Sequence, residues 1–209
     1  MASKYADEGK VGDGGGGVKP MIGTGNERKG SISGYPEEVK QCCVDVLCWM
    51  EEKGPNELKD VEPCAQEDLS LVAESYVAKI GGAKGLPQAL SVLYGMKDGG
   101  VPLYEYTLMG SQEILRVLSE QSPPEGVLPI GSDIDGEYLV LGADGKLSTW
   151  DPEEGSDIGP SIADTFASHL EHFRDLLLSN KYEWVDDCGL VEIAVSPKKS
   201  SAAGDSRKK

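Results

Sequence analysis

Apolar positions recur at helical spacing over residues 36–94, and strand spacing joins it from residue 101 onward. After Tyr35-Pro36, the residues Val39, Cys42, Cys43, Val46, Leu47 and Met50 fall on one helical face, and Gly54-Pro55 ends the run. Proline suits the first helical turn, where its missing N–H is not needed. A second helix is predicted over Gln66 to Ile80, with Leu69, Val72, Tyr76 and Ile80 as its stripe and Gly81-Gly82 as its stop. A short third helix covers Leu86 to Tyr94. The pattern changes after Asp98-Gly99-Gly100. Val101 to Met109 reads as a strand, and Gly110-Ser111 caps a helix over Gln112 to Glu120 that Ser122-Pro123-Pro124 ends. Three short runs at period two come next: Val127 to Ile130, Tyr138 to Leu141 and Lys146 to Trp150. Asp135-Gly136 and Asp144-Gly145 separate them, the signature of a tight antiparallel meander. A long helix is predicted over Ser161 to Ser179, on a stripe of Ile162, Phe166, Leu170, Phe173 and Leu177, and a last strand over Leu190 to Val195. Helices segregated from an antiparallel meander give an α+β fold.

Both ends of the chain depart from this pattern. Residues 1–30 are Gly-rich and polar, with four glycines from Gly14 to Gly17, and 197–209 are basic and poor in large apolar groups. Such segments bury too little apolar surface to offset their ordering entropy, so a flexible arm and a flexible tail are expected around one domain over 31–196.

Charge narrows the partners. The 209 residues carry a net charge of -16, and the ends are basic or balanced, which leaves 31 acidic and 10 basic groups in residues 31–197. An acidic body repels phosphate backbones and anionic lipid, so a nucleic-acid or membrane partner is not expected and a protein with a basic surface is. The five cysteines, Cys42, Cys43, Cys48, Cys64 and Cys188, are odd in number, and no C-x-x-C occurs. With no apolar leader and no N-x-[ST] acceptor, they read as free thiols in a reducing, cytoplasmic setting, with nucleus and cilium left open.

The order of short motifs carries a resemblance. A helix opening at Leu86-Pro87 leads to Asp98-Gly99-Gly100, then Leu128-Pro129-Ile130-Gly131, Asp135-Gly136, Tyr138-Leu139-Val140-Leu141 and Asp144-Gly145. Thr149-Trp150-Asp151 and Ile162-Ala163-Asp164-Thr165-Phe166 complete it. Over roughly 66–183 this resembles the SUKH superfamily, the Smi1-type domain of fungal cell-wall regulators and bacterial immunity proteins. A non-catalytic subunit of the tubulin polyglutamylase complex is a further relative. The family often has Asn-Gly where this chain has Asp98-Gly99, and Ser where it has Thr165. The resemblance implies a non-catalytic protein-protein interaction module, a subunit or adaptor of a larger intracellular assembly, with no cofactor and no catalytic residues to carry over.

Candidate chemistry is sparse. His169-x-x-His172 puts two imidazoles on one helical face, as a metal-dependent hydrolase would need, but a zinc site needs a third or fourth ligand. Asp133-x-Asp135-Gly136 lacks the spacing of an EF-hand and reads as a turn. The glycines around Gly23 to Gly30 lack the Lys of a P-loop and the third Gly of a dinucleotide fingerprint. Cys42, Cys43 and Cys48 read as core, having no His near them in sequence. Ser196-Pro197-Lys198-Lys199 is a basic Ser-Pro stretch open to modification. The partner-binding residues expected are Trp150, Asp151, Glu153, Glu154 and Asp157, on the acidic loop between the meander and the last helix, since loops on a rigid scaffold are common binding surfaces.

Overall fold

The computed structural model describes residues 35–81, 85–186 and 188–193. The expected arm at 1–30 and tail at 197–209 lie outside the described residues. Helix α1 (Pro36–Lys53) starts on its proline, carries Glu37 and Glu38 in its first turn and stops where the Gly54 N–H bonds the Met50 carbonyl at 2.8 Å. Acids near the positive N-terminal end and Lys53 in the last turn both suit the helix dipole. Its inward stripe is buried as the spacing predicts, with Trp49 added to it. Helix α2 (Gln66–Ser75) runs on into a π-helical turn over Tyr76–Ile80, and Gly81 ends it at φ 83. The Tyr76 hydroxyl donates to the Gly142 carbonyl at 2.8 Å, which fixes this helix to the sheet. Helix α3 (Gln88–Tyr94) is next in the chain.

The predicted single strand over Val101 to Met109 is instead a tight hairpin, β1 (Pro102–Leu103) and β2 (Tyr106–Leu108), in register Leu103↔Tyr106. The turn at Tyr104-Glu105, with Tyr104 at φ 59, breaks the alternation. Helix α4 (Ser111–Glu120) lies between β2 and the meander β3 (Val127–Ser132), β4 (Tyr138–Gly142) and β5 (Leu147–Trp150). The five strands form one antiparallel sheet in sequence order, beside helices that share its core. The fold is α+β.

Each short motif has a mechanical reason. Pro129 has no N–H to give to a central strand, and the register shifts at that point, between Pro129 and Gly131. A Cβ on Gly131 would lie 3.0 Å from the Thr107 carbonyl, so glycine there lets β2 close on β3. At Asp98-Gly99-Gly100 the carboxylate of Asp98 accepts from the Ser111 N–H at 2.8 Å and the Ser111 hydroxyl at 2.9 Å. That caps α4 from a distant loop. Nearby, the buried Tyr94 hydroxyl donates to the Met109 carbonyl at 2.7 Å.

The last predicted helix starts late. Helix α5 spans Phe166–Leu178, and Thr165 and Ser168 form a reciprocal capping box at its start. Residues 158–163 instead run along the open edge of β5: the Ile162 N–H bonds the Leu147 carbonyl and the Leu147 N–H bonds the Ala163 carbonyl, both at 2.9 Å. Ile162 is therefore 42% exposed and not part of the core stripe. Covering an unpaired edge satisfies backbone groups that an earlier helix start would leave open. A separate hairpin closes the described chain, β6 (Tyr182–Val185) with β7 (Gly189–Glu192). Strand β6 was not among the expected elements. The expected last strand is β7, and Ala194 and Val195 lie outside the described residues.

Candidate functional site: an acidic end of the sheet

Register alone brings three loops together. Thr107 pairs with Ser132, Ser132 with Tyr138, and Tyr138 with Trp150, so these residues mark one end of the sheet across four strands. The β1–β2 turn, the β3–β4 loop and the segment after β5 all emerge there. They carry Glu105; Asp133, Asp135 and Glu137; and Asp151, Glu153, Glu154 and Asp157. None of the three contains Lys or Arg. Strand β2 also touches the β3–β4 loop directly: the Tyr106 hydroxyl donates to Glu137 Oε2 at 2.5 Å. Burial, that bond and the charges of Glu137, Glu105 and Asp133 together push the Tyr106 phenol well above its usual range.

The β3–β4 loop is held in one shape. Asp133 Oδ1 accepts from the backbone N–H groups of Asp135, Gly136 and Glu137 at 3.0, 2.8 and 2.8 Å, and Gly136 takes φ 96. Asp135-Gly136 is thus a turn, as its composition predicts, and an oxygen of Asp133 is committed to the backbone. At the tip stands Ile134, 98% exposed. An aliphatic side chain in full contact with water on a braced hairpin has no folding role to explain it.

The expected partner-binding loop divides in two. Trp150 is 3% exposed and does not face a partner. Adjacent strand residues point to opposite faces, so it joins Val127 and Val140 on the sheet face away from the main core, stacked on Tyr138 at 5.2 Å. Its indole N–H donates to the Gly155 carbonyl at 2.8 Å, and the Asp151 side chain accepts from the Glu153 N–H at 2.8 Å. These two bonds fold 152–154 into a 3-10 turn that leaves Glu153 and Glu154 exposed, with Asp157 exposed beyond it. Trp150 and Asp151 therefore shape the loop, and Glu153, Glu154 and Asp157 are its accessible charges. Ile134 and Glu105 were not expected at the site. Their signal was pairing register, which no local window contains.

The His pair sits elsewhere, on α5 against the β1–β2 turn. His172 Nδ1 and the Tyr104 hydroxyl share a hydrogen bond of 2.7 Å. The His169 ring lies 4.9 Å from that of Tyr104, and its Nε2 is buried with no hydrogen-bond partner. Burial, helped by the charge of His172, lowers His169 to about 4. Burial, with Tyr182 and Glu105 nearby, pushes Tyr104 up to about 12. Among the described residues, no group of three or more His, Cys, Asp or Glu side chains converges as a metal site would require, here or among the acidic loops. The cysteines are unpaired, and burial pushes Cys42 and Cys43 up to about 12, far from the reactive thiolate range.

No described helix is long and apolar enough to cross a membrane. Neither the family models nor the curated proteins compared with this chain give a match.

Proposed function

We propose that this protein is a non-catalytic interaction module, a subunit or adaptor of an intracellular assembly, and that it docks a basic protein surface on the acidic end of its sheet. One observation carries the reading: three loops without a cation emerge at one end of the sheet, and the braced middle one is tipped by a 98% exposed isoleucine. The carboxylates are spread rather than convergent, which suits an extended basic surface better than a single cation. An apolar anchor ringed by charges is a common anatomy for an interface, with the anchor giving affinity and the charges giving rate and specificity. The resemblance to the SUKH superfamily supports the same class of function.

The test is binding of a fluorescein-labelled decalysine peptide, followed by anisotropy across a salt series. Binding that weakens steeply with salt, and that weakens further in a Glu153→Gln/Glu154→Gln/Asp157→Asn variant, supports the proposal. Equal binding by the variant and the native chain would defeat it.

A further inference from the structure

The described chain ends just past α5, the helix whose His172 bonds Tyr104 of the β1–β2 turn at 2.7 Å. The Ile193 N–H bonds the Lys181 carbonyl at 2.6 Å, and Tyr182 pairs with Glu192 across the hairpin. Tyr104 shares its turn with Glu105, at the acidic end. The residues after Ile193 form the most basic stretch of the sequence. Residues 194–209 carry Lys198, Lys199, Arg207, Lys208 and Lys209 against one acid, Asp205. A chain of that length spans up to about 50 Å when extended, ample to cross one end of a sheet. A tethered segment also acts at roughly millimolar effective concentration, without the cost of finding its site.

We propose that residues 194–209 dock on the acidic end of the sheet in the same chain and compete there with the basic partner. The inference rests on the function proposed above and assigns its regulation. The tail is a built-in competitor, so a partner must displace it. Anything that lowers the tail's positive charge opens the site. Ser196, just before Pro197 and Lys198, stands where an added phosphate would do so.

The experiment compares the full chain with a full-length variant carrying Lys198→Gln, Lys199→Gln, Arg207→Gln, Lys208→Gln and Lys209→Gln. Two readouts are taken at low and high salt: backbone amide shifts, and the affinity of labelled decalysine. The expected result is that the amides of Glu105, Ile134, Glu153 and Glu154 shift between the two proteins at low salt. Those of Asp144 to Lys146, at the opposite end of the sheet, stay in place as the internal control. Decalysine then binds the variant roughly ten-fold more tightly, the factor expected when a competitor holds the site about nine-tenths of the time. Both differences vanish at high salt, where charges beyond a Debye length are screened.

Identical amide shifts at the acidic end would overturn the inference. If decalysine binds both proteins equally and Glu153→Gln weakens it in each, the docking function stands and the tail contact falls. If the amides shift but decalysine binds neither protein, the tail contact stands and the function proposed above fails.

Discussion

Gly99 and Gly145 both take a positive φ, 83 and 85, yet they should respond differently to substitution. A Cβ on Gly99 would lie 2.4 Å from the Gly110 nitrogen, whereas nothing lies within 4 Å of one on Gly145. Gly145→Ala should cost about 1 kcal/mol, the ordinary penalty of a left-handed alanine. Gly99→Ala must also separate the loop from the start of α4, and should cost at least about 3 kcal/mol in urea denaturation. His169 supplies the pH dependence. Its folded value of about 4 lies below the usual 6.5, so the folded state favours the neutral ring and the unfolded state takes up the proton first. The contribution is complete above pH 6.5 and is lost as pH falls toward 4. Its ceiling is roughly 3 kcal/mol. His169→Gln should flatten the stability profile in that window, as followed by denaturation at successive pH values.

At the scale of elements, the locally patterned ones were legible. α1 announces itself through Pro36, its apolar stripe and Gly54, and β3 to β5 through their Asp-Gly turns. Elements defined by a partner were not. Residues 161–165 continue the predicted helix, yet the open edge of β5 claims Ile162 and Ala163, and the Thr165 box sets the true start. The run from Val101 to Met109 hides its turn because Tyr104 is not a residue that signals positive φ. Strand β6 has only Tyr182, Trp184 and their neighbours to mark it, and its pairing with β7 decides its state. The helix start gives a direct prediction: Thr165→Ala should lower stability by about 1 kcal/mol in calorimetry, as lost caps do. The acidic turn gives another. Trp150→Phe keeps a buried ring but removes the bond to Gly155, so the amides of Glu153 to Gly155 should exchange with solvent faster while the sheet amides do not.

Across the whole molecule, only half of the candidate site was readable from sequence. Composition singles out 151–157 because four of its seven residues are acidic and the other three, Pro152, Gly155 and Ser156, favour turns, but it also nominated Trp150, which the sheet buries. The other half depends on which strand ends coincide, and on Ile134 being outside, and both are set by register. Ile134→Ser should leave thermal stability unchanged, since the side chain is 98% exposed, while weakening partner binding several-fold.

The measurement that tests the central claim most directly is affinity capture of the tagged native chain beside an Ile134→Ser/Glu153→Gln/Glu154→Gln/Asp157→Asn variant, at low and high salt, with mass spectrometry of the retained proteins. The account predicts a reproducible partner with a basic surface, held by the native chain at low salt, released at high salt and absent from the variant. A partner retained equally by both chains, or one indifferent to salt, would contradict it.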